Sequence, residues 1–152
     1  MLIERQGDMF TTDAYVIGHG VNAYGVMGAG VAAIIRDKFP AVYDDYRADY
    51  TLGHLWPGSS HGYLTAWPQT SRGVWVFNLV TQDQPGPHAR LPWIAESLRR
   101  TLQRAHEMGA SKVALPRLGC GIGGLDWRTQ VHTIFSVMAM AYPTVDVEVW
   151  SL

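Results

Sequence analysis

Cysteine is almost missing from this sequence. Cys120 is the only one among 152 residues, so the chain holds no intramolecular disulfide, and neither CxxC nor HxxxH spacing marks a zinc site. Charge is scarce too. Asp, Glu, Lys and Arg make up 16% of the residues, and 12 basic side chains nearly cancel 13 acidic ones. That balance excludes a polybasic protein holding nucleic acid by bulk charge, though not a local patch. No apolar run approaches the ~20 residues that cross a bilayer, and the opening Met1-Leu2-Ile3-Glu4-Arg5-Gln6 is too short and too charged for a secretory signal. No repeat, low-complexity tract or linker appears. The expectation is one globular domain over residues 1–152, cytoplasmic and reduced, with no metal, no cofactor and no membrane partner. What the chain does have is apolar content, at 47%, and 16 glycines.

Periodicity orders the chain into strands and helices. Residues 15–17 read as a short apolar strand running into Gly18 and Gly20. A buried helix over 31–38 is stopped by Pro40, and a second short one covers 41–50. Residues 61–67 and 73–80 read as two strands of a hairpin, turned by residues 68–72. From Pro92, the spacing of Ile94, Leu98, Leu102 and Ala105 predicts an amphipathic helix that Gly109 caps. Residues 112–115 form a strand. Val131, Ile134, Phe135, Met138 and Tyr142 make another helical stripe, and 145–150 alternates as a closing strand. Strands separated by helices predict a layered α/β domain, and the hairpin makes its sheet mixed.

Two glycine-rich segments carry the chemistry. The first, residues 19–30, follows a strand and ends in Gly28-Ala29-Gly30 at a helix start. Glycine there lets amides approach a ligand, and a helix N-terminus favours an anion. A tight turn needing glycine for sterics alone is the equal alternative. The second, Pro116-Arg117-Leu118-Gly119-Cys120-Gly121-Ile122-Gly123-Gly124-Leu125-Asp126-Trp127, also leaves a strand for a helix. Its four glycines bury almost no area, so their use is conformational. Two such loops at strand carboxyl ends converge on one crevice, and a diphosphate held by main-chain donors fits both them and the near-zero net charge. Gly119, Gly121 and Gly124 match GxGxxG, but too little chain follows for a dinucleotide-binding unit, and no GxxxxGK[ST] occurs.

In order, Gly7-Asp8, the run from Met27 to Ala32, the second glycine segment and the terminal Val147 to Trp150 resemble the macrodomain family. Within it, the chain resembles the branch of terminal ADP-ribose protein glycohydrolases and DNA ADP-ribosyl glycohydrolase antitoxins. The resemblance implies a three-layer α/β/α sandwich with a central mixed sheet and a cleft for ADP-ribose. It implies that Asp8 accepts a hydrogen bond from the adenine amino group beside Met9, with Trp150 stacking on the ring. Gly28, Ala29, Gly30 and Val31 would line one side of the diphosphate, and Gly119, Cys120, Gly121, Ile122 and Gly123 the other. His19 and Asn22 would face the distal ribose. Structural roles stand beside these: Asp8 initiating a turn, His19 and Trp150 as core, Cys120 as a small loop residue. His54, His61, His88, His106 and His132 show no ligand-like spacing.

The sequence departs from that branch at two positions. Where the glycohydrolases carry a lysine at the end of the central strand, this chain has Gln82, and where some carry a carboxylate after GCG-x it has Gly123. An amide cannot form a Schiff base. The expected activity is hydrolysis by positioned water, with Gln82 or Gln84 orienting it and Asp83 as base. ADP-ribose ester-linked to protein Glu or Asp is the first expectation for substrate, since its leaving group needs little acid. A non-catalytic ADP-ribose reader and a hydrolase of ADP-ribosylated DNA are the alternatives. Residues 82–90 could equally be a plain solvated loop.

Overall fold

The computed structural model describes residues 1–152. Six strands form one sheet: β1 Leu2–Gln6, β2 Val16–Asn22, β3 Ser60–Ala66, β4 Gly73–Gln82, β5 Lys112–Pro116 and β6 Asp146–Ser151. Their order is β1-β6-β5-β2-β4-β3, parallel throughout except that β3 runs antiparallel to β4. The hairpin is therefore an edge feature, with β3 outermost. Helices α1 Gly30–Lys38, α2 Pro40–Thr51, α3 Leu91–Glu107 and α4 His132–Ala141 cover the two faces.

Alternation along β4 assigns the faces. Phe77 and Leu79 join Ile94, Leu98 and Leu102 of α3 and Phe135 of α4 in one core, while Val74 and Val76 join Ile35 of α1 and Phe39 and Val42 around α2 in another. The three-layer sandwich expected from the sequence is the fold observed. No helix is long and apolar enough to cross a membrane.

The sheet differs from the sequence reading most at β1 and β2. Strand β1 was not anticipated, because Glu4, Arg5 and Gln6 are exposed and give it no apolar alternation. Its polar residues instead reach inward partners. Arg5 Nε donates to Glu148 at 3.0 Å, and Trp127 Nε1 donates to Glu4 at 3.1 Å. Strand β2 continues through Gly18, His19 and Gly20 to Asn22 rather than ending at residue 17. Its glycines serve close packing: a Cβ at Gly18 would lie 2.7 Å from Leu115, and one at Gly20 would lie 2.9 Å from Thr81 Oγ1.

Glu148 fastens one end of the sheet. Its carboxylate, 2% exposed, accepts from Thr12 Oγ1 at 2.7 Å and Trp150 Nε1 at 3.2 Å as well as from Arg5. Burial alone raises its pKa. The three hydrogen bonds and the nearby Lys112 ammonium outweigh that and hold it below the ordinary glutamate range.

Candidate functional site

The carboxyl ends of β5, β2 and β4 lie side by side at the middle of the sheet, a point where strand order departs from chain order. Residues 23–29 leave β2 there, and residues 117–126 leave β5. Between these loops lie two adjoining cavities of about 310 Å³ and 240 Å³ that share Gly20, Ala29, Ala32, Gln82 and Ile122 as walls. Ile122 nearly bridges the loops, since a Cβ at Gly30 would stand 3.4 Å from its Cδ1. The cavities are one cleft divided by one side chain.

The walls offer donors and little charge. The amides of Gly28, Ala29, Gly30, Val31 and Ala32 on one side, and of Gly121, Ile122 and Gly123 on the other, donate to no carbonyl of the protein. The N-cap of α1, Ala29, has no side chain to satisfy the first turn, so the helix's partial positive charge opens into the cleft. Gly30 has φ +62, a left-handed conformation that suits glycine. Arg117 is the one ionisable side chain in the walls. Unpaired peptide N–H groups on both walls and a single cation suit a diphosphate.

Residues 83–88 form the cleft's lip, and they are built rather than loosely solvated. Gln82 Nε2 donates both its hydrogens into this segment, to Gln84 O at 2.7 Å and Gly86 O at 3.0 Å. Ala89 bridges back to Gln82 and donates to Gly123 O at 3.3 Å. Pro85 and Gly86 then stand in the wall of the larger cavity. Gln82 is therefore a clamp, and its Oε1 is the amide atom left without a protein partner.

The glycines named from sequence, with Ala29, Val31 and Ile122, all stand in the walls. Several other residues do not. Cys120 turns away to pack on the core, donating to Leu118 O at 3.3 Å, and burial pushes its thiol up to about 11, against a small lowering by Arg117. Such a thiol stays protonated and is no nucleophile at neutral pH. Asp83 is exposed and lines neither cavity, so the role of base assigned to it is withdrawn. Asn22 reaches the larger cavity with its side chain turned to the first loop: Nδ2 donates to Val26 O, and Oδ1 accepts from the amides of Tyr24 and Val26 and from Tyr46 Oη. It shapes the first loop. Asp8 is exposed and caps the 3-10 turn Met9–Thr11 by accepting from Phe10 N, while Met9 is buried below it. Trp150 is half-buried beside Gly7. These three lie at the β1–β6 end, outside both cavities. Thr81, Pro85, Gly86 and Arg117 line the cleft without having been singled out; Pro85 and Gly86, in the 82–90 segment, and Arg117, in the glycine segment, had a signal in their position.

His19 is fully buried, and this corrects its placement at the distal ribose. It lies opposite Asn78 in the β2–β4 register, with Nε2 and Asn78 Oδ1 at 2.6 Å, while its Nδ1 is buried without a partner. Burial lowers its pKa to about 4, against a smaller raising by the Asn78 hydrogen bond. Because the folded value lies below the unfolded one, protons bind the unfolded chain first. The stability His19 contributes is whole above pH ~6.5 and is lost as pH falls toward 4, on the order of 3 kcal/mol. Proton NMR should show its ring unchanged from pH 7.5 to 5. A His19 titration near pH 6.5 in the folded protein would contradict this.

A family model described as "Macro domain" matches residues 19–134. A Mycobacterium tuberculosis protein named DNA ADP-ribosyl glycohydrolase is 25% identical over 99% of this chain and 42% of its own length. A Thermus aquaticus protein of the same name is 30% identical over 84% of this chain and 35% of its own. The chain thus spans about two fifths or less of the length of those two relatives. Among solved structures, the macrodomain of M. tuberculosis DarG matches with a TM-score of 0.86 at 25% identity, over 100% of this chain and 98% of that one. Thermosipho africanus DarTG, solved in complex with ADP-ribose, matches with a TM-score of 0.77 at 24% identity, over 96% of this chain and 41% of that one.

Proposed function

Because the chain belongs to the Macro domain family, we propose that it binds ADP-ribose in this cleft and hydrolyses the bond joining the distal ribose to a macromolecule. The observation that carries the reading is the set of eight amides in the cleft's two walls that donate to no carbonyl of the protein. The orientation implied by the resemblance puts adenine at the Asp8 and Trp150 end, so the distal ribose falls in the larger cavity beside Gln82. The names of the relatives favour a nucleic acid as the modified macromolecule over the protein esters first expected.

Chemistry in this cleft rests on positioning. With both Gln82 N–H groups committed to the lip, Oε1 accepts a hydrogen bond from a water and aims it at the anomeric carbon. The water oxygen bonds to that carbon as the bond to the leaving group breaks. The leaving group takes up a proton from solvent and the attacking water gives one up to solvent, since Arg117 is the cleft's one ionisable side chain and remains charged. The same scarcity of acid and base specifically favours a second reading, retention of ADP-ribose without turnover.

Release from DNA-linked and from Glu- or Asp-linked ADP-ribose, followed between pH 6 and 9, separates the readings. Hydrolysis of the DNA linkage at a rate flat in pH is expected, with Gln82→Ala slower by about a hundredfold. A rate changing tenfold per pH unit would reveal an ionisable catalyst and overturn the mechanism. Binding with no release from any substrate leaves the reader.

A further inference from the structure

Another cavity, of about 300 Å³, opens at the opposite end of the sheet from the cleft. Arg72 in its wall directly precedes β4, and Gln82 ends that strand, so ten residues hold the two places about 30 Å apart. The apolar wall is an edge-to-face pair, Phe10 and Trp67, with ring centroids 6.5 Å apart. Trp67 is buried, and its Nε1 has no acceptor in the protein. An unpaired donor beside a cavity carries a cost that an entering acceptor relieves. The polar wall comes from Thr12 and from the turn joining β3 to β4, which supplies Gln69, Thr70 and Arg72. Ser71 in that turn is the one non-glycine residue with a positive φ, +57. Such a conformation persists where the surroundings fix it. Here Ser71 N donates to Trp67 O at 2.9 Å, Trp67 N to Arg72 O at 2.8 Å and Arg72 N to Thr70 Oγ1 at 3.2 Å. The turn is held in one shape, with Arg72 at the cavity.

Positive charge at this end is unspent. Arg72 stands 5.8 Å over the Trp67 ring and Lys38 stands 5.3 Å over the Phe10 ring, and neither forms an ion pair. The carboxylates flanking Phe10 and Thr12 in sequence are engaged: Asp8 accepts from Phe10 N, and Asp13 accepts from Lys112 Nζ. Asp37, next to Lys38, is exposed to solvent. We propose that this cavity is a second small-molecule site that takes an aromatic carboxylate, its ring against Phe10 and Trp67 and its anion on Arg72. The guanidinium fork matches a carboxylate, and Thr70 Oγ1, which accepts from Arg72 N, keeps a hydrogen to donate. A flat ring packing on two rings gains more than its buried area alone supplies. The cavity has the size of a small-ligand site and room for one substituted ring.

The test is an NMR titration of the whole chain with benzoate, beside benzamide as its uncharged counterpart and cyclohexanecarboxylate as its saturated one. Benzoate should bind about tenfold more tightly than benzamide and about fivefold more tightly than the saturated acid. The Trp67 indole N–H signal should shift as benzoate is added. Arg72 is exposed, so Arg72→Gln should keep the thermal midpoint while binding benzoate no better than benzamide. Phe10→Leu should erase the preference for the aromatic acid over the saturated one. Excess ADP-ribose should leave benzoate in place. Absence of benzoate binding would overturn the proposal, as would equal binding of acid and amide or an Arg72→Gln protein that binds like wild type. Equal binding of the saturated acid would overturn the aromatic class of ligand. Displacement by ADP-ribose would put benzoate in the cleft and overturn the second site.

Discussion

Gly121→Glu should reduce ADP-ribose affinity by at least about a hundredfold, which corresponds to roughly 3 kcal/mol, and leave the melting temperature within about two degrees of wild type. Gly121 is exposed, lies in the wall of the smaller cavity, and has no atom within 4 Å of the place a Cβ would occupy. Its φ is not in the left-handed range. A side chain is therefore tolerated by the fold, and it stands in open space at the wall of the cleft. A carboxylate there also faces the ligand's phosphates with like charge, against one cationic wall residue, Arg117. Calorimetry with ADP-ribose, paired with a thermal melt, reads both halves. Unchanged affinity would show that the diphosphate does not lie between these loops.

Two residues further on, the outcome reverses. Gly123→Ala should cost about 2–3 kcal/mol of stability and lower the melting temperature by roughly 5–10 °C. A Cβ at this position would come within 2.7 Å of the Ala89 Cβ, 2.8 Å of Gly119 O and 2.9 Å of Gly119 Cα. Two of those three atoms are backbone, and Ala89 belongs to the stretch tied to Gly123 O. Neither neighbour can swing aside without displacing the lip or the second glycine loop. Gly123→Asp, which would restore the carboxylate some glycohydrolases carry here, should be at least as damaging and gain no catalytic acid. Urea unfolding of the two variants beside Gly121→Glu makes the comparison direct, and a Gly123→Ala protein as stable as wild type would refute the packing argument.

Much of the architecture was legible because the apolar stripes of α3 and α4 and the alternation of β6 reflect burial that no long-range pairing alters. The loops were legible for the opposite reason: glycines in a run have no side chain to bury, so left-handed backbone, as at Gly119, or close approach of the chain, as at Gly123, explains them. What stayed hidden depends on register between distant strands. The resemblance placed His19 at the distal ribose, and nothing in the sequence marked its partner Asn78, which lies 59 residues away on the neighbouring strand. Asn22 looked free because its donors and acceptors are the turn it folds, together with Tyr46 on α2. Gln82 stood out as a substitution, but its use as a clamp requires knowing that the chain doubles back at Ala89 to pair with it.

A cradle built of peptide groups leaves most of its recognition independent of side-chain identity. Exchanging one residue type for another along these loops alters the grip only where a new side chain intrudes or the backbone bends, so the binding surface tolerates wide divergence while the path of the chain is held. Fidelity then resides in curvature: the site is inherited as a shape, and its vocabulary of amino acids is free to drift around it.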